Sequence, residues 1–132
     1  MNFDRSLFIG KFTQEARELI QKLNDGLIEL EKDPKRHETI KKIMRAAHTL
    51  KGSSKLMQFN NVSSLSHKME ELLIGVQEGR LELTEDIIDS LFKSTDFLSW
   101  CIESILQGES DTVEMSAICD VFSAFSEILI IP

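Results

Sequence analysis

Apolar residues recur along this chain at steps of three and four, the spacing of one face of an α-helix. From Asp4 to about Glu31 they are Leu7, Phe8, Phe12, Ala16, Leu19, Ile20, Leu23, Leu27 and Leu30, which predicts a first helix. Asp33-Pro34 supplies a capping carboxylate and a proline suited to a first helical position. The stripe Ile40, Ile43, Met44, Ala47 and Leu50 then predicts a second helix that contains His48. A polar stretch around Phe59, Asn60 and Asn61 precedes a third stripe, Val62, Leu65, Met69, Leu72, Leu73 and Val76, which runs out near Gly79. Thr84 can cap a fourth helix, with Glu85 and Asp86 at the positive end of its dipole and Ile87, Ile88, Leu91, Phe92, Leu98, Cys101, Ile102 and Ile105 facing inward. Gly108 ends it. Asp111 with Glu114 resembles a capping box and predicts a fifth helix carrying Val113, Ile118, Cys119, Phe122 and Phe125.

No strand pattern competes for these residues, and short connections favour antiparallel neighbours. The expected fold is therefore all-α, an antiparallel up-down four-helix bundle with a fifth C-terminal helix. Residues 1–108 are expected to form the bundle, and residues 109–132 an additional helix at the start of a linker to further domains. The apolar end Ile128-Leu129-Ile130-Ile131-Pro132 either packs on the bundle or belongs to a chain that continues.

Composition narrows the function. At 132 residues and 42% hydrophobic content, one well-filled core is possible and a multidomain enzyme is excluded. A formal net charge of -7 argues against nucleic-acid binding, which needs a basic face, and favours protein partners. Cys101 and Cys119 fall in apolar helical patterns without metal-ligand spacing and read as reduced core residues of a cytoplasmic protein. The N-terminus lacks a basic region followed by an apolar run, and no apolar stretch approaches the roughly 20 residues of a membrane span. No membrane association, metal or cofactor is expected.

Candidate chemistry lies at the edge of the second and third helices. At roughly 100° per residue, His48 falls roughly 110° from the centre of its helix's buried stripe, and Glu70 falls roughly 120° from its own in the same rotational sense. Antiparallel pairing brings those two flanks to one side of the hairpin. The pairs 48/70 and 51/67 are both centred on the turn near Phe59, so His48 is expected to face Glu70 and Lys51 to face His67. A carboxylate accepting a hydrogen bond from Nδ1 would leave Nε2 of a neutral imidazole as an outward nucleophile, and would favour the cationic ring formed during attack on phosphorus. Lys51, one turn from His48, suits phosphoryl oxygens, and His67 can donate a further hydrogen bond. Gly52 occupies an outward helical position at a cost of about 1 kcal/mol relative to alanine, which close approach of a partner's backbone would explain.

The run Ala46-Ala47-His48-Thr49-Leu50-Lys51-Gly52-Ser53-Ser54 resembles the signature of histidine phosphotransfer domains. His67-Lys68-Met69-Glu70-Glu71-Leu72-Leu73 is similar to the corresponding segment in the N-terminal phosphotransfer domain of chemotaxis-type (CheA-like) histidine kinases, and the likeness covers about residues 3 to 106. It implies that His48 accepts phosphate from the ATP-binding domain of a histidine kinase and donates it to an aspartate in a response-regulator receiver domain. It also implies a hydrogen-bond network joining His67 and Glu70 to His48 and Lys51. One departure is the turn: the family usually has a glycine there, whereas Leu56-Met57-Gln58-Phe59-Asn60 has none, although Asn60 and Asn61 tolerate left-handed conformations.

Two rival readings use the same residues. His48, His67 and Glu70 offer two nitrogens and an oxygen to zinc, but the Lys51 ammonium opposes a cation and no fourth ligand is apparent. A helical interaction module without chemistry would be marked by failure to accept phosphate. An autonomous kinase is disfavoured, because the chain has no phosphate-cradling glycine loop and no room for an ATP domain.

Overall fold

The computed structural model describes residues 5–108, which form four helices: α1 (Arg5–Lys32), α2 (His37–Leu56), α3 (Asn60–Gln77) and α4 (Glu85–Leu106). Each helix packs on its neighbours in the order α1, α2, α3, α4 and back to α1, and the diagonal pairs of helix backbones do not approach each other. This is an antiparallel up-down four-helix bundle. The expected fifth helix, with Cys119, lies outside the described residues. Cys101 is buried in α4 with a free thiol.

The predicted stripes meet in one core. Leu23, Leu27 and Leu30 of α1, Ile40, Ile43 and Leu50 of α2, Met69, Leu72 and Leu73 of α3, and Leu91 and Leu98 of α4 are essentially sealed from solvent. Gly26 permits the closest approach of α1 to α2, since a Cβ there would overlap Cγ2 of Ile43. Leu7 and Phe8, by contrast, are exposed despite their place in the α1 stripe. Arg17 pairs with Glu103 and marks the level at which α1 faces α4. At that level the first turns of α1 overhang Leu106, so no part of α4 covers them.

Caps and turns set the helix ends, in two places differently from expectation. Thr84 caps α4 by accepting from the Ile87 N–H at 3.3 Å. Asp33, however, does not cap α2, which begins at His37 after an Arg36 N-cap without a side-chain bond. Its carboxylate instead accepts from the Lys35 N–H, two residues on, the bond by which Asp closes a turn of its own. At the α2–α3 turn the left-handed residue is Gln58, with φ 65°, and not Asn60 or Asn61, which already belong to α3. Gln58 N–H donates to Lys55 O and Phe59 N–H to Ser54 O, the paired bonds of a Schellman ending, which requires the left-handed residue immediately after the helix. Gly79 takes the same role after α3, with Arg80 N–H donating to Gly75 O.

A side chain in the left-handed region costs about 1–2 kcal/mol, and glycine's larger unfolded-state entropy returns part of the gain. Gln58→Gly is therefore expected to raise unfolding stability by up to about 1 kcal/mol in denaturant titration, without change in helix content. A loss of stability would contradict this account of the turn.

Candidate functional site

Helix α2 continues through the Gly52-Ser53-Ser54 segment, with both serine hydroxyls folded back onto the preceding turn. Ser53 donates to Thr49 O at 3.0 Å and Ser54 to Leu50 O at 2.6 Å. Buried Ala47 and Leu50 face the core and turn His48 to the bundle edge, where its side chain is 65% exposed. On α3, Met69 and Leu73 are buried and Glu70 lies beside them, its side chain only 10% exposed. The hairpin is fixed at this level by a further bond from Ser63 Oγ of α3 to Lys51 O of α2, at 3.2 Å.

Glu70 receives two donors, one on each oxygen. Nδ1 of His48 lies 2.5 Å from Oε2, and Nζ of Lys51 donates to Oε1 at 2.6 Å. Burial pushes the Glu70 carboxyl upward, but the hydrogen bonds from Lys51 and His48, reinforced by their charges, outweigh it and hold the group below the usual carboxylate range. The carboxylate is thus kept ionised as an acceptor. With Nδ1 occupied, the ring's other nitrogen, Nε2, is the atom left for chemistry.

The structure brings together His48, Lys51 and Glu70. His67 is turned elsewhere: its Nε2 lies 3.2 Å from Glu71 Oε1, one turn along α3, and its side chain is half exposed. Lys51 therefore reaches Glu70 and does not pair with His67. Helix periodicity places a Cα on a level, but a lysine side chain spans a full turn of about 5.4 Å and goes to the buried carboxylate. Among the described residues no His, Cys, Asp and Glu side chains are grouped as a metal site. Gly52 is exposed, and a Cβ built there meets nothing within 4 Å, so its lack of a side chain is not explained by packing inside the bundle.

Sequence reasoning passed over a cleft of about 460 Å³ beside His48, lined by Lys41, Met44, Arg45, Glu70 and Gln77. The level matching that pairs His48 with Glu70 also pairs Lys41 with Gln77, and Lys41, Met44 and Arg45 precede His48 by one and two helical turns. The signal was present in the spacing.

An antiparallel four-helix bundle that holds an exposed histidine against a buried carboxylate on its edge defines a class of phosphoryl-carrying modules. The chain belongs to the Hpt domain family, which matches residues 8–113, and is a phosphotransfer module of the CheA-like kind. The chemotaxis protein CheA of Bacillus subtilis is 37% identical over 127 residues, covering 94% of this chain and 19% of that protein. The chain thus spans about one fifth of this relative's length. Among solved structures, the CheA phosphotransferase domain from Thermotoga maritima superposes with a TM-score of 0.75 at 33% identity, covering 80% of this chain and 99% of that one. The phosphorylated P1 domain of CheA3 in complex with CheY6, from R. sphaeroides, shares the fold, with a TM-score of 0.78 at 18% identity and coverage of 92% and 97%. No described helix is long and apolar enough to cross a membrane.

The depressed carboxyl has a consequence for stability. A group ionised more readily when folded contributes stability above its unfolded pKa, and that contribution disappears as pH falls through the folded value. The stability difference between wild type and Glu70→Gln is expected to be largest near neutrality and to shrink as pH drops below the ordinary carboxylate range. Parallel pH profiles for the two proteins in chemical denaturation would contradict the ion-pair description.

Proposed function

We propose that His48 is the phosphoryl carrier of this domain, accepting from the ATP-binding domain of a histidine kinase and donating to an aspartate of a response-regulator receiver domain. One observation carries this reading: Nδ1 of His48 is held by a buried carboxylate while most of the ring stands in solvent. In the loading step, the Nε2 lone pair forms a bond to the γ-phosphorus as the phosphorus–oxygen bond to ADP breaks. Positive charge develops on the ring, and Glu70 is in place to stabilise it. In unloading, the Nε2–P bond breaks, its electron pair returns to nitrogen, and a carboxylate oxygen of the receiver takes the phosphoryl group.

Lys51 has an indirect and a direct part in this scheme. It keeps Glu70 ionised, and its ammonium retains donors for phosphoryl oxygens. His67 is assigned to the rim of the site, where its ring, on leaving Glu71, can donate to the same oxygens. Gly52, open on its outer side, is assigned to the docking surface, where a partner's backbone approaches His48. The domain does not act as a kinase by itself, and its setting is the cytoplasm. Residues 1–108 are assigned to the transferring unit in this scheme. Likeness in fold to the phosphorylated domain solved with CheY6 supports a receiver as the acceptor.

Incubation with a CheA-type ATP-binding domain and labelled ATP tests the assignment. His48→Gln is expected to lose all acid-labile, alkali-stable label while keeping its helix content and melting temperature, since the side chain sits outside the core. Label persisting in that variant would assign the carrier to another residue. Glu70→Ala should be slowed and not silenced. Losing a hydrogen bond to a charged group costs about 1.5–3 kcal/mol, or roughly one to two orders of magnitude in rate if it is fully expressed in the transition state. A loading rate equal to wild type would remove Glu70 from the mechanism.

A further inference from the structure

The chain as a whole carries a formal net charge of -7, yet helix α2 holds five Lys or Arg residues against a single acid, Glu38. At roughly 100° per residue, Lys41, Arg45, Gly52 and Lys55 all fall within roughly 60° of His48 on the helix surface. All are exposed. They form one ridge with His48 midway, reaching about 10 Å along the helix in each direction. The other two cations are placed differently. Lys51 is committed to Glu70, and Lys42 turns into the groove between α1 and α2, which Asp25 and Glu29 also line.

Acids do little to neutralise this ridge. Glu38 stands 3.9 Å from Lys41 and its side chain is 86% exposed, a spacing and setting in which an ion pair contributes little. Across the hairpin, Glu71 is engaged with His67 and Lys68, and Glu70 with His48 and Lys51. Arg45 lines both the α1–α2 groove and the cleft beside His48, and it makes no ion pair among the described residues. A single phosphate or a nucleotide's polyphosphate would occupy only part of a surface about 20 Å long. A protein face can span it.

We propose that Lys41, Arg45 and Lys55 form an electrostatic docking ridge for the acidic face of a receiver domain around its acceptor carboxylate. The proposal rests on the phosphotransfer reading above and adds the chemistry of the partner's surface. A phosphorylated His48 brings about two negative charges toward a carboxylate, and repulsion would slow the encounter. Cations one and two turns away offset that repulsion before contact, without taking part in the bonds that break and form. Their effect is on association rate, which long-range charge complementarity governs, and it is screened by salt.

The test loads the full chain at His48 with phosphoramidate, a small donor that requires no kinase, and follows transfer to a purified receiver domain with an acidic surface around its acceptor aspartate. Wild type should show a second-order transfer rate that falls steeply with salt. The double variant Lys41→Glu, Arg45→Glu, once loaded to the same extent as wild type, should transfer about tenfold more slowly at low salt and lose most of the salt dependence. Lys41→Gln with Arg45→Gln, which keeps side-chain length without adding repulsion, should lie between the two and covers a failure of the charge-reversed protein to fold. Equal transfer rates and salt slopes in wild type and variants would overturn the ridge. Normal transfer together with impaired loading by an ATP-binding domain would overturn it too, by assigning these cations to the phosphate donor. Failure of wild type to load on His48 would instead overturn the carrier assignment.

Discussion

The Glu70 carboxylate is the group on which this site depends. A carboxylate withdrawn from water survives as an anion only when its oxygens are paired, and here each has one donor: Lys51 on one, His48 on the other. Lys51 therefore acts on His48 through Glu70. By keeping the acid ionised it preserves an acceptor for Nδ1–H, which in the proposed function favours the tautomer with a bare Nε2. Both partners come from α2 and the carboxylate comes from α3, so the chemistry requires the α2–α3 hairpin to close in one register. Buried Leu50 and Leu73, with the bond from Ser63 to the Lys51 carbonyl, hold that register.

The proposed carrier and the core are separated in space. The core is filled by aliphatic side chains on the inner stripes, whereas the imidazole lies on the rim and contributes no packing that the bundle needs. Glu70 is the link between the two regions, buried enough to be held rigidly yet close enough to the edge to reach the ring. A carboxylate farther out would be free to rotate and be screened by water; one farther in would lose the histidine.

Much of this could be read from residue spacing. The periods of three and four located the four helices, and the rotation of His48 and Glu70 relative to the stripes located one side of one hairpin. What spacing misses is the reach and choice of long polar side chains. Lys51 and His67 sit at matching levels, yet the lysine goes to the buried carboxylate and the histidine pairs with Glu71 on its own helix, because a buried carboxylate competes more strongly for a cation than an exposed imidazole does. Backbone demand also overrode residue preference at Gln58, where the Schellman bonds dictate which position is left-handed and two asparagines nearby could not take its place. Asp33 likewise used its carboxylate for a local turn before α2 began. The cationic side of α2 was hidden by a negative total charge, which averages over the helix that matters.

Nitrogen-15 NMR of the imidazole addresses the central claim most directly, since it reports which ring nitrogen of His48 bears the proton when the ring is neutral. The account predicts a protonated Nδ1 and a bare Nε2, with the proton correlated across the short contact to Glu70. An Nε2–H tautomer, or an even mixture of the two, would show that Glu70 is a neighbour of the ring and does not orient it.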